Sequence, residues 1–310
     1  MSWSTKDIPP QAGKLALITG ATGGLGFETA LELARAGAEV VVTGRNADKG
    51  AKALAAIRAQ VPNARVSYET LDLATLTNVE TFARGFADRH SRLDILINNA
   101  GVMAPPSREV TRDGFELQFA TNYLSHFALT ARLLPLLRAA PAARVVPLAS
   151  IAARQGKIDF AGLQSERDYK PMVAYSQTKL ACLMFGFELQ RRSDTNGWCI
   201  ASITAHPGVA RTDLVNNGMG ETSPAGFFRR YLSVMFQPVP QGALPTLMAA
   251  TDPGAKPGGY YGPQGLLEIR GLPGEASAPG QSLDIAAARR LWDVSEELSG
   301  VRFPTLAMAA

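Results

Sequence analysis

The stretch Thr19-Gly20-Ala21-Thr22-Gly23-Gly24-Leu25-Gly26 closes a short apolar run that begins at Leu15, and it precedes apolar residues at helical spacing up to Gly37. This order predicts a strand, a tight turn and a helix. Glycines let the backbone N–H groups of such a turn approach a pyrophosphate at the positive end of the helix. A purely structural turn is the alternative. The position between strand and helix favours dinucleotide binding, through Gly20, Thr22, Gly23, Gly24, Leu25 and Gly26.

The alternation of strand and helix continues along the chain. Pro147 is unusual in one predicted strand, because proline cannot donate to a sheet ladder. Repeated βα units of this kind predict an α/β fold, a single Rossmann-like doubly wound parallel sheet flanked by helices. Further strands are predicted at 39–43, 66–71, 94–97, 144–148, 199–205 and 260–261, and helices from Asn46 and near 79–86, 115–137, 174–190, 243–250 and 286–298.

No linker or internal repeat divides the 310 residues, and an apolar content of 46% is ample for a buried core. We therefore expect one domain, 1–310, with an inserted substrate lid at 213–240 and a C-terminal extension at 280–310 that contains a further amphipathic helix. The net charge of +4 is dispersed along the chain, which argues against nucleic acid as a partner.

Cysteine, histidine and terminal patterns exclude several classes of protein. Cys182 and Cys199 have no ligand-like spacing, and the three histidines are scattered, so we expect neither a disulfide framework nor a metal site. The N-terminus lacks a secretory signal, and no run of about 18 apolar residues occurs. The expectation is a cytoplasmic protein without an integral membrane segment.

The residues after the second predicted strand bear on the choice of nucleotide. An acidic residue there would bind a free ribose 2′-hydroxyl, but this chain has Gly44-Arg45-Asn46. A guanidinium suits a 2′-phosphate, so Arg45, with Asn46 beside it, favours NADP(H) over NAD(H). A solvated loop arginine is the alternative interpretation. Two further strand ends are expected to line the same site, with Asp72 and Leu73 on one and Asn99, Ala100 and Gly101 on the other.

Tyr175 and Lys179 lie one helical turn apart in a predicted helix, so both project from one face. A tyrosine can deliver a proton to a carbonyl oxygen while hydride arrives from nicotinamide, and a nearby ammonium favours the phenolate form. The pair alone is weak evidence, since it can arise by chance. Together with the nucleotide elements it indicates an oxidoreductase.

These features together resemble the short-chain dehydrogenase/reductase family. The resemblance covers most of the chain and its motifs follow the family order. Within the family, the stretch from Asp113 to Phe119 and the one from Leu291 to Leu298 resemble the branch of retinol dehydrogenases and related NADP-dependent reductases. The matching motifs are Thr19-Gly-xxx-Gly-x-Gly, Asn98-Asn-Ala-Gly, Asn122, Ser150, Tyr175-xxx-Lys179 and His206-Pro-Gly-Val.

The resemblance implies a catalytic tetrad. Tyr175 is implied as general acid/base and Ser150 as the residue that holds the carbonyl oxygen. Lys179 is implied to bind the nicotinamide ribose and to assist Tyr175, while Asn122 organises a water for proton relay. The residues implied to close over the nicotinamide are Pro207, Gly208, Val209 and Thr212. Family members are commonly dimers or tetramers, so a homodimer or homotetramer is expected.

Two departures from the family pattern concern Ser150. Ala149 replaces one of the usual pair of small hydroxyl residues, and the interval from Ser150 to Tyr175 is longer than in most members. Ser150 still occupies the position of the second serine. The residues near 157–166 must therefore loop out before the helix, an extension that retinol-dehydrogenase-like members share.

The predicted lid, 213–240, carries an apolar stripe that includes Phe227, Phe228, Tyr231 and Met235. The stripe favours a bulky hydrophobic ketone, aldehyde or alcohol as substrate. Packing on the protein's own core or on a sister subunit explains it equally well, and a peripheral membrane contact is a further alternative. Two other functions are alternatives to a carbonyl reductase or alcohol dehydrogenase: an NADPH-dependent C=C reductase, and a regulatory protein that binds NADPH without turnover.

Overall fold

The computed structural model of the protein describes residues 3–210 and 237–305. Six strands form the main sheet: β1 (Leu15–Ile18), β2 (Glu39–Gly44), β3 (Arg65–Thr70), β4 (Ile95–Asn98), β5 (Ala143–Pro147) and β6 (Ile200–Ser202). All pairs are parallel, in the order β3-β2-β1-β4-β5-β6. This is the classical doubly wound order, so the predicted fold class is confirmed.

Helices cover both faces of the sheet. The major helices are α1 (Gly24–Arg35), α2 (Ala47–Gln60), α3 (Leu76–Arg89), α4 (Ser125–Ala139), α5 (Pro171–Asn196), α6 (Val239–Thr251) and α7 (Ile285–Ser299). Successive residues of β1 point to opposite faces, so Leu17 belongs to the core beneath α3, α4 and α5, while Ile18 belongs to the core beneath α1 and α6. Burial on both faces explains why the central strands β1 and β4 are buried and mostly apolar, whereas the edge strand β3 carries the exposed residues Arg65, Ser67 and Thr70.

The single strand predicted at 199–205 is wrong in one respect, since it divides at Ile203 into β6 and β7 (Thr204–Ala205). Pro147 supplies the physical reason. The Ile203 N–H bonds the Val145 carbonyl and the Ala149 N–H bonds the Ala205 carbonyl. In this register the donor that Pro147 lacks would face Ile203. The hydrogen-bond ladder between the two strands is therefore interrupted at Pro147, the residue that is unusual in a predicted strand.

The predicted strand at 260–261 belongs to a second, three-stranded sheet of β7, β8 (Tyr260–Pro263) and β9 (Pro273–Glu275). No sequence pattern had indicated β9. The C-terminal helix predicted at 286–298 is confirmed as α7. Its Trp292 ring packs edge-on against Phe127 of α4, and the Ser295 and Tyr123 hydroxyls are 2.7 Å apart.

The helix predicted at 115–137 begins later than expected, and a different type of helical turn precedes it. A π-helical turn, Phe119–Leu124, precedes α4. Such turns carry one extra residue per turn and are frequent at functional sites. Most of the lid predicted at 213–240 lies outside the described residues, which end at 210 and resume at 237. Among the helices of the described residues, none is long and apolar enough to cross a membrane.

Candidate functional site

The glycine-rich turn brings the ends of β1 and β4 into direct contact. Gly20 has φ +63°, and a Cβ added there would lie 2.8 Å from Cα of Ala100. The Asn99 side chain donates to the carbonyls of Thr19 (2.7 Å) and Gly20 (3.1 Å). Only glycine permits both the left-handed backbone and this close approach. The turn after β1 is thus rigidly attached to the turn after β4.

The N-terminus of α1 fits an anionic group. Gly23 is the N-cap residue and provides no side-chain cap, so the first N–H groups of the helix lack that partner. A Cβ added to Gly23 would meet nothing within 4 Å, because the space in front of it is open. Uncapped N–H groups, a helix dipole and free space are the features of a phosphate site.

One cavity of about 610 Å³ connects this helix end to the carboxyl ends of the parallel strands. Among the residues predicted from sequence, Asn46 and Asn122 are not part of its lining, and Thr212 lies outside the described residues. The predicted residues that do line it are Gly20, Thr22, Gly23, Gly24, Leu25, Gly26, Arg45, Asp72, Leu73, Asn99, Ala100, Gly101, Ser150, Tyr175, Lys179, Pro207, Gly208 and Val209.

Two cations lie at the β2 end of the cavity. Arg45 was predicted, but Lys49 was missed, although it lies four positions later in the first turn of α2. Asn46 accepts a hydrogen bond from the Lys49 backbone N–H (2.9 Å) and so caps α2. Its carboxamide oxygen thus orients the helix that carries Lys49. The sequence signal for Lys49 was its position as a second basic residue shortly after Arg45.

Tyr175 and Lys179 lie together on the buried side of α5, each only 5% exposed. The Lys179 ammonium lies 5.9 Å from the centre of the Tyr175 ring and donates to the Leu148 carbonyl at the end of β5 (2.9 Å). Ser150 follows two residues later and accepts from the Ala152 N–H (3.2 Å), which starts the short 3₁₀ helix Ile151–Gln155. The sheet end and α5 therefore bring Ser150, Tyr175 and Lys179 to one cavity wall.

Asn122 lies in the π-helical turn behind this wall. Its carboxamide oxygen accepts from the Val102 N–H (2.7 Å), and its amide donates to the Val102 carbonyl (2.9 Å) and to the Thr178 hydroxyl (3.1 Å). Every polar atom of the side chain is therefore engaged. In this geometry Asn122 holds the segment after β4 against α5.

His126 connects the glycine-rich turn after β1 to the π-helical turn that contains Asn122. Its Nε2 lies 2.8 Å from the Thr19 hydroxyl and its Nδ1 2.9 Å from the Asn122 carbonyl. Burial lowers the pKa of His126 to about 4, so the ring is neutral at pH 7. The Thr19 oxygen already accepts from the N–H groups of Asn99 and Ala100, so its proton is directed to Nε2. His126 then donates through Nδ1.

The segment 207–209 also lines the cavity. Gly208 has φ +63°, and a Cβ there would lie 2.4 Å from the Ile269 carbonyl oxygen. The Val209 N–H donates to the same oxygen (2.8 Å). Across the described ranges no cluster of histidine, cysteine and acidic residues could hold a metal ion. Cys182 and Cys199 are both free thiols.

Comparison with known proteins adds three findings. The family model described as short chain dehydrogenase matches residues 14–221. Polyprenol dehydrogenase of Mus musculus is 39% identical over 94% of this chain and 86% of its own length, and retinol dehydrogenase 12 of Homo sapiens is 38% identical over 94% and 88%. A crystal structure of an uncharacterised protein from Mycobacterium paratuberculosis superposes with a TM-score of 0.81 at 37% identity, covering 98% of this chain and 100% of the other.

Proposed function

Because the chain belongs to the short-chain dehydrogenase family, whose members bind nicotinamide cofactors, we propose that it interconverts a bulky hydrophobic ketone or aldehyde and its alcohol with NADP(H). The observation that carries this proposal is the shared cavity. Tyr175 and Lys179 lie on one wall of it, and the uncapped end of α1 lies on the other. A dinucleotide of extended shape needs an anion site and a reaction site joined in this way.

In the proposed reaction, a bound nicotinamide supplies or accepts hydride. Tyr175 gives a proton to the carbonyl oxygen during reduction and removes it during oxidation. Ser150 donates a hydrogen bond to the same oxygen. Lys179, whose ammonium lies beside the Tyr175 ring, binds the nicotinamide ribose.

Asn122 has a positioning role in this proposal. Its side chain is fully engaged with Val102 and Thr178, so it acts on α5 and on the segment after β4. The family resemblance implies a relay water at Asn122. Its backbone carbonyl already faces Nδ1 of His126 and accepts from the Cys182 thiol (3.2 Å). A water there would compete with these donors.

The preference for NADP(H) rests on Arg45 and Lys49. Both line the cavity beside the end of β2, where the adenosine ribose is expected. Two cations suit a 2′-phosphate better than a neutral hydroxyl, and the Gly44-Arg45-Asn46 turn contains no carboxylate that would repel it.

The substrate class is proposed from two sources. Relatives at 38–39% identity are named for polyprenol and retinol, which are both bulky hydrophobic alcohols. The apolar stripe of the predicted lid, at 213–240, is of similar character, although it lies mostly outside the described residues. The single domain 1–310, the homo-oligomer and the cytoplasmic location stay predictions.

The proposal is tested by following NADPH oxidation at 340 nm with a graded series of aldehydes and ketones, from small to bulky and hydrophobic. We expect turnover to increase with apolar size and to require NADPH over NADH. An α,β-unsaturated ketone separates the alternative, since a saturated ketone as sole product would identify a C=C reductase. NADPH binding with no turnover across the series would indicate a non-catalytic protein.

A further inference from the structure

A strained turn lies behind the segment 207–209. Residues 265–270 form a tight loop in which the Gly265 N–H bonds the Arg270 carbonyl. Within it, Leu267 (φ +53°) and Glu268 (φ +57°) are consecutive non-glycine residues in the left-handed region. This conformation is unfavourable for both residues and persists only where surrounding contacts enforce it. The side chain of Glu268 makes those contacts.

The Glu268 carboxylate, 16% exposed, has three partners from three parts of the chain. Its Oε2 lies 2.8 Å from Nε2 of His206 and 2.8 Å from Nη2 of Arg154, and its Oε1 accepts from the Ser277 N–H (2.9 Å). Burial by itself would raise the pKa of Glu268, but these three partners outweigh it and lower the pKa. The group is therefore a carboxylate at neutral pH.

One of these contacts sets the proton position on His206. The ring is completely buried and packs closely against Gly262, where an added Cβ would lie 1.9 Å from its Nε2. A carboxylate can only accept, so Nε2 carries the proton that bonds Glu268. Nδ1 is then free to accept from the Gly208 N–H (3.2 Å). Glu268 thereby fixes the peptide that begins the segment 207–209.

The second contact, with Arg154, connects Glu268 to the segment that carries Ser150. Arg154 lies in the 3₁₀ helix that Ser150 caps, and it bonds both the Glu268 carboxylate and the Leu267 carbonyl (2.9 Å). The backbone of the strained turn also accepts from the Val209 N–H through Ile269. The turn is thus bonded to Ser150's helix on one side and to 207–209 on the other.

We propose that Glu268 is a positioning residue that holds His206 in its Nε2–H tautomer and ties the segment 207–209 to the helix following Ser150. This role rests on the proposed function, in which these two segments flank the nicotinamide. Sequence reasoning did not select Glu268, because its partners are distant along the chain.

The first experiment observes the tautomer directly in the protein without added cofactor. With only three histidines in the chain, 15N-histidine NMR can be assigned through a His90→Gln variant and a His206→Asn variant. We expect Nε2 of His206 to be protonated in the wild type and the tautomer to become mixed in Glu268→Ala. The control is Glu275→Ala, which removes an exposed carboxylate paired with Lys256. An Nδ1–H tautomer in the wild type, or no change in Glu268→Ala, overturns the proposal.

The second experiment separates positioning from folding. Glu268→Ala is expected to raise the KM for NADPH at least about tenfold, because a charge-assisted contact is lost, while the KM for the carbonyl substrate changes less than threefold. Glu268→Gln keeps the shape and one acceptor oxygen, so it should restore part of the NADPH affinity. If the alanine variant does not fold, Glu268→Gln alone tests the positioning role. An unchanged NADPH KM in both variants overturns the proposal. A wild type without turnover would instead refute the proposed function, while the tautomer measurement still reports on Glu268.

Discussion

The two sides of the cavity are built on different principles. The nucleotide side consists of turns after β1, β2, β3 and β4, and the parallel order of the strands brings these ends to one edge. The reaction side combines 148–155, the start of α5 and 207–210, and it depends on side-chain bonds such as that of Arg154 to Leu267, 113 residues away. A regular sheet positions the first side. Individual long-range contacts position the second.

His126 is where the two sides meet. It bonds Thr19 on the nucleotide side, 107 residues away, and the Asn122 carbonyl on the reaction side. A change on one side can therefore reach the other through one imidazole.

The largest effect is expected on the reaction side alone. Tyr175→Phe removes the proton donor, so kcat/KM should fall about 10³-fold while the Kd for NADPH changes less than about threefold. Assays at 340 nm and a fluorescence titration measure the two quantities. Tyr169→Phe is the matched control, since its hydroxyl bonds the Pro105 carbonyl outside the cavity. Activity above a tenth of wild type in Tyr175→Phe would contradict the assignment.

Adding one methyl group should damage the nucleotide side. In Gly26→Ala the new Cβ would lie 2.8 Å from the Ala21 Cα and the Gly20 carbonyl oxygen, which are backbone atoms that cannot easily move. We expect the free energy of unfolding to decrease by about 2 to 3 kcal/mol, together with weaker binding of either cofactor.

Gly85→Ala is the control for this helix substitution. Its Cβ meets only the flexible end of Arg89 at 3.3 Å, so helix propensity should raise stability by about 0.5 to 1 kcal/mol. Urea denaturation measures both variants. Equal changes in the two would show that Gly26 is not constrained by its surroundings.

The connection through His126 predicts a pH dependence of stability. The folded pKa of about 4 lies below the ordinary 6.5, so between these values the unfolded chain binds a proton that the folded chain does not. The free energy of unfolding should therefore decrease as the pH falls, by about 2 kcal/mol between pH 7 and pH 5.

A His126→Asn variant tests the origin of this pH dependence in urea titrations. Its free energy of unfolding should depend less on pH than that of the wild type. His206, whose pKa is also lowered by burial, contributes to the part that remains in the same direction. A wild-type free energy of unfolding that is constant from pH 7 to pH 5 would contradict a lowered pKa for His126 in the folded protein.

The smallest effect concerns selectivity on the nucleotide side. Arg45→Glu should weaken NADPH binding about tenfold, because only NADPH carries the 2′-phosphate. NADH binding should not weaken, since the new carboxylate can accept from the free ribose 2′-hydroxyl. Lys49→Glu should act in the same direction. Arg58→Glu is the control, since this guanidinium bonds the Val66 carbonyl away from the cavity. Equal losses for both cofactors would indicate a structural role.

Much of the nucleotide side was predictable from the sequence, because local patterns encode it. The glycine turn, Arg45, Asp72 and Asn99 each follow a predicted strand, and all four line the cavity. The reaction side was predictable only where spacing within one helix suffices, as for Tyr175 and Lys179. His126 lies four positions after Asn122, so helical spacing contained a signal that was not used. Lys49 lies in the first turn of α2, just after Arg45, and a second basic residue at this helix start was also a signal that was not used.

By itself, the sequence determined the doubly wound sheet, the glycine-rich turn and the pairing of Tyr175 with Lys179. The spacing of apolar residues, continuous apolar runs and the conformational freedom of glycine are properties of a few neighbouring residues, so they need no distant partner. Tertiary structure alone decided that β6 and β7 divide opposite Pro147, that His126 joins Thr19 to Asn122, and that Glu268 holds His206. Each depends on residues far apart in the chain, whose meeting is set by how the elements pack.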